Sequence, residues 1–264
     1  MNDTEMTASD LAELGRAKKL LENPGFIAKV ADIIGTPVEK AMELLPAGAA
    51  TAIQKATHVA LEKALQLAVG TLGGEGGHGP SNIAHKIAVG MTGAAGGAFG
   101  LASLPIELPV TTTVMLRSIA EIARSKGEDP RSPETAVACL EVLALGGPSS
   151  ADDASKSGYY TVRIALAKAM SEAATYIAEK GLIEEGAPVL VRLVAAIATR
   201  FGVVVSEKAA AQIVPIVGAA GGAAVNVAFM IHYQDMAEGH FAVRRLEREY
   251  GAEAVRAAYD RLPR

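Results

Sequence analysis

The chain has 264 residues, half of them hydrophobic and 20% charged, enough to build a substantial core and too apolar to be disordered throughout. A net charge of −4 leaves no basic footprint for nucleic acid, and a single cysteine, Cys139, excludes an internal disulfide framework. With no Trp, 5 Phe and 6 Tyr, the apolar content is mostly small and aliphatic, which favours close helix packing over a large aromatic core.

The opening MNDTEMTASD is acidic and polar, without the basic and apolar regions of a secretory leader, and predicts a cytoplasmic start. Apolar residues then recur at helical spacing along the chain, with no strand-type alternation bounded by hairpin turns. The pattern predicts helices at 8–22, 24–45, 47–72, 81–103, 109–126, 133–145, 157–181, 187–200, 204–231 and 233–262. Ser132 caps one of these with Pro133 in the first helical position, and Pro109 opens another. Gly127, Gly146 and Gly181 are read as stops. Two loops interrupt the series: the glycine-rich run 73–80, and 146–158 with Pro148 and the pair Asp152 and Asp153. The sum is an all-α fold, a single multi-helix bundle of about nine or ten helices over residues 1–264.

Two stretches carry no formal charge, 87–106 and 209–231, and both contain GAAGGA, at 93–98 and 218–223. Each is long enough for the ~30 Å apolar layer of a bilayer, although the first is rich in Gly and Ala and the second holds Gln212 and Asn226. Gly90, Gly93, Gly97 and Gly100 line one helical face, and Gly218 and Gly222 offer the same close approach. These Gly/Ala-rich helices are placed at the bundle centre, with contact to lipid as the competing reading. Asn226 needs a partner on another helix, because an unpaired buried amide costs about 1–3 kcal/mol.

Motifs for phosphate cradling, zinc proteolysis, dithiol redox work and acyl transfer are absent. His232, Asp235 and His240 are the candidate metal set. Two imidazoles and a carboxylate suit a divalent metal, with a further ligand drawn from Glu107 or His58. Bonding of each to polar neighbours is the competing reading. Glu107 lies between Pro105 and Pro109 at a helix start, where it serves either as a cap for free N–H groups or as a ligand-binding carboxylate. Arg117 and Glu121, four apart, form a helical pair. The tail from Phe241 to Arg264, with six Arg and four acids, reads as an amphipathic helix with a solvated charged face.

The stretch from Leu104 to Thr113, LPIELPVTTT, with Leu116 to Ala123 after it, resembles the bacterial EcsC protein family. So do Gln212 to Pro215, Gly218 to Ala224, Asn226, His232 to Ala237, His240 with Phe241, and Arg244 to Glu247. The resemblance spans about residues 80–250 and leaves an N-terminal helical region, 1–75, outside it. It implies a mainly helical protein tied to transport or envelope functions, in a family named from a gene that lies beside those of an ABC transporter. Glu107, Arg117, Asn226, His232, Gln234 and His240 fall within the resembling stretches. The expected function is a non-enzymatic, cytoplasmic protein peripheral to the inner membrane, whose partners are membrane lipid or ABC-transporter components. The alternatives are a metal-assisted hydrolase, with Glu107 as general base beside His232, Asp235 and His240, and a protein-binding scaffold.

Overall fold

A computed structural model describes residues 6–22, 25–70, 100–129, 131–147, 158–180, 186–214 and 218–263. Among these residues the chain forms ten α-helices and a short 3-10 turn, with no strand, so the fold is an all-α bundle. The helices are α1 (Ala8–Glu22), α2 (Gly25–Ile34), α3 (Val38–Glu43), α4 (Ala49–Gly70), α5 (Leu104–Ser125), α6 (Pro133–Leu145), α7 (Gly158–Lys180), α8 (Pro188–Ile213), α9 (Gly218–Tyr250) and α10 (Ala252–Arg261). The 3-10 turn, Gly100–Ser103, leads into α5.

Local chemistry sets several of these boundaries. At the start of α6 the Ser132 side chain accepts a hydrogen bond from the Thr135 amide at 3.0 Å, with Pro133 in the first turn, as its sequence predicts. The predicted helix 24–45 is instead two, because Gly35 adopts a positive φ of 66° and Pro37 follows it. Pro109 does not open α5 but lies inside it; the hydrogen bond it forfeits would have run to Pro105, in the exposed first turn. Toward the end of the chain the predicted breaks near 201–203 and 232 are absent. Helix α8 ends at Ile213 because Val214, which precedes Pro215, is extended, and α9 runs 33 residues until Gly251 turns with φ 86°. The uncharged stretch 209–231 is therefore shared by two helices rather than forming one rod. Most of the other, 87–106, lies outside the described residues, as do Gly90, Gly93 and Gly97, the run 73–80 and Gly181.

Helix α9 is the hub, packing against α1, α2, α5, α6, α8 and α10, while α4 lies along α5 and α8. Its core residues include Val225, Phe229, Tyr233, Ala237, Phe241 and Leu246, all buried. Close approach is achieved at glycines the sequence did not single out for packing. A Cβ on Gly239 would sit 2.7 Å from Leu21 Cγ and 3.0 Å from the Ala17 carbonyl oxygen, so α1 presses directly on α9 there. Gly146 ends α6 with an ordinary helical φ of −70°, and its bare Cα makes room for the rings of Tyr233 and His232.

The two ends of the chain are fastened together. Lys18 on α1 donates to the carbonyls of Tyr259 at 2.8 Å and Leu262 at 2.7 Å, and Arg245 meets Asp10 and Glu13, both at 2.6 Å. The tail is thus docked rather than solvated, with Phe241, Leu246, Val255 and Tyr259 buried and Arg244, Arg245 and Arg248 engaged in ion pairs.

Candidate functional site

Two polar clusters sit inside this apolar frame. In the first, Glu107 from α5, Lys208 and Gln212 from α8, and Asn226 from α9 meet, all buried. Lys208 Nζ lies 2.7 Å from Glu107 Oε1, Asn226 Nδ2 donates to the same oxygen at 2.8 Å, and Gln212 Nε2 reaches the carboxylate at 3.3 Å. Burial alone pushes the carboxyl up and the ammonium down, but three donors converging on one carboxylate hold Glu107 below its ordinary range. The predicted capping role is corrected: the Glu107 side chain points across the bundle to α8 and α9, because satisfying a buried ammonium and two amides outweighs bonding exposed backbone N–H groups.

The second cluster lies where α6, α7, α9 and α10 meet. The Tyr159 hydroxyl is 3.1 Å from His240 Nδ1, and on the other side of the ring Nε2 is 3.5 Å from Glu141 Oε2. Burial raises Tyr159 far above its ordinary value, so the phenol keeps its proton beside the imidazole. Burial likewise holds His240 well below its ordinary value and pushes the Glu141 carboxyl up, against the pull of Arg163 and Arg244. Glu141 lines a pocket of about 410 Å³ with Tyr160, Arg163, Arg244, Glu247, Glu253 and Arg256. Its apolar wall is Ile164, Ala167, Met170 and Ala252. Arg163 grips Glu247 with two bonds, 2.6 and 3.0 Å, and covers the Tyr159 ring, while Arg244 turns away to Glu128 at 2.9 and 3.0 Å. Arg256 stacks over the Tyr160 ring at 5.4 Å.

The proposed metal set does not assemble. His232 Nε2 bonds the Gly146 carbonyl oxygen at 2.8 Å, Asp235 faces Lys29 at 3.9 Å, and His240 belongs to the pocket cluster. Among the described residues no three His, Cys, Asp or Glu side chains form a metal set. The spacing explains the separation: His240 is eight residues along α9 from His232, about 80° around the axis and two turns away. Glu107 is in the other cluster, and His58 is half-buried on α4. Gln234 donates to Ser118 Oγ at 2.8 Å, Arg117 is exposed, and Glu121 is half-buried.

Sequence reading missed Lys208, Glu141, Tyr159, Arg163, Glu247 and Arg256. Glu141 had a signal: it is the one acid in the run 135–145, every residue of which is buried. Lys208 had one too, as the charge bordering the neutral stretch 209–231.

With the geometry in place, comparison with known proteins decides the family. The EcsC protein family model matches residues 9–246, nearly the whole chain. The chain belongs to the EcsC protein family. No curated protein and no solved structure matches it. The EcsC match begins near the start of α1, so the N-terminal helices that the motifs at 80–250 left aside fall within the family region. The Glu107 cluster and most of the pocket lie inside it as well, whereas Glu247, Glu253 and Arg256 lie just beyond.

Proposed function

We propose that this EcsC-family chain is a non-enzymatic protein that associates from the cytoplasmic side with the inner membrane or a lipid, as an accessory to ABC-transporter components. The observation that carries this reading is helix α8. It is long and apolar enough to cross a membrane by length and composition, with an 18-residue window of mean hydropathy 1.9, yet only 39% of that window is buried. A helix devoted to a soluble core would be mostly covered. Here Pro188, Val191, Ala195, Thr199 and Val203 follow one another at steps of three and four and are exposed, Val191 by 53%.

The opposite face of α8 is tied into the bundle by Lys208 and by Leu193, Ile197, Phe201 and Val205. That argues for a helix resting along a lipid surface, not one inserted alone across it. Flotation of the purified protein with neutral and anionic vesicles tests the reading. Co-flotation that is lost in a Val191→Asp, Val203→Asp double variant supports it. A wild-type protein that stays with the soluble fraction in both cases overturns it and favours the protein-binding scaffold, for which the same apolar stripe is the docking face.

A further inference from the structure

We propose that the pocket between α6, α7, α9 and α10 binds an organic carboxylate with an apolar tail, held by Arg256 at the mouth and Glu141 at the floor.

Several independent features converge on this class. Glu141 is only 6% exposed, and its nearest polar partner among the described residues is the His240 imidazole at 3.5 Å, too far for a good hydrogen bond. A buried acid is normally bonded within the fold. This one instead faces a cavity, with the His240 ring behind it. At the mouth, Arg256 is oriented by the Tyr160 ring, and its guanidinium has no carboxylate or carbonyl partner among the described residues. A planar fork of N–H donors matches a planar carboxylate with two parallel bonds.

The lining charges pair off and leave one guanidinium for a ligand. Arg163 is held by Glu247 and Arg244 by Glu128, so Arg256 is the arginine of the lining left for a monoanion, and a phosphate dianion would be opposed by Glu247 and Glu253. Burial raises the Glu141 carboxyl, which favours a proton shared between it and the ligand carboxylate. The remaining wall is aliphatic: Ile164, 59% exposed, with Ala167 and Met170 one and two turns along α7. Such a strip beside a charged end suits an alkyl chain, and about 410 Å³ lies within the usual range for a small-molecule site.

This inference is independent of the lipid-surface reading, since it concerns a monomeric ligand in solution. The test is calorimetric titration of the full chain with octanoate below its micelle concentration, alongside octyl phosphate, octylamine and acetate. Saturable one-site binding of octanoate, at least about tenfold tighter than each of the other three, is expected. Arg256→Gln, at an exposed position, should weaken octanoate at least about tenfold while leaving the circular dichroism and melting temperature unchanged. Ile164→Ser should weaken octanoate and leave acetate unaffected. Absence of octanoate binding, binding indifferent to both variants, or an equal preference for octyl phosphate would each overturn the proposal.

Discussion

Glu107 and Glu141 are both buried glutamates in the same bundle, each packed against α9, and their surroundings differ in one respect. Glu107 has an ammonium and two amides on its carboxylate. Glu141 has an imidazole at 3.5 Å and a cavity. Where the fold supplies every partner, a buried charge joins helices. Where it withholds them, the acid is left for something outside the chain. Burial by itself therefore does not distinguish a structural carboxylate from a ligand-facing one; the count of internal donors does.

The contrast can be broken first at Lys208. Lys208→Met leaves Glu107 buried with two neutral donors, and chemical denaturation should register a loss of about 3–5 kcal/mol. Adding Glu107→Gln should recover much of it, because the uncompensated charge is gone. If the single variant is as stable as wild type, the two clusters are energetically alike and the comparison fails.

Acid titration sharpens it next. Glu107 is held below its ordinary value, so its contribution is intact at neutral pH and is lost as pH falls through the folded-state value. Glu141 is shifted up, so it loses nothing on acidification and instead costs stability as pH rises through its folded-state value. His232, driven by burial from 6.5 to about 4, adds a separate acid-side loss of about 3 kcal/mol between those limits, because the folded state takes up its proton last. Equilibrium unfolding followed from pH 7 to 4 should show this slope, reduced in His232→Gln and steepened in Glu141→Gln, which removes the opposing contribution.

A packing change separates polar from steric effects. Gly239→Ala places a methyl against Leu21 and the Ala17 backbone and should cost about 1–3 kcal/mol in thermal or denaturant melts, with no change in the pH slope. The smallest effect is expected for Glu141→Gln. At pH 4, where the raised acid carries no linkage cost, an amide of the same shape replaces a group that makes no strong internal bond, so stability should stay within about 0.5 kcal/mol, against a substantial loss for Glu107→Gln alone.

Much of this architecture was legible in the residue order. Helical spacing without strand alternation defined the fold class, and Ser132 with Pro133 marked the start of α6. Boundaries failed where one backbone effect overrode side-chain pattern: Val214 before Pro215 ends α8, and Pro109 is tolerated within α5. The polar residues were partly found, since Glu107, Asn226 and His240 all lie in the clusters. Their partners were not, because Lys208 is 101 residues from Glu107, and Tyr159 is 81 from His240. Spacing along one helix groups His232 with His240, whereas the tertiary fold assigns them to different neighbours.

The fastening of α1 to α9 and α10 also bears on the order of assembly. Lys18 finds its carbonyl acceptors 241 and 244 residues later, and Asp10 meets Arg245 only after a further 235 residues have been synthesised. Helix α1, made before α9 and α10, is accordingly seated only after they have emerged. Until then its apolar side, with Leu14 and Ala17, stays uncovered on the nascent chain, a natural point of engagement for a chaperone.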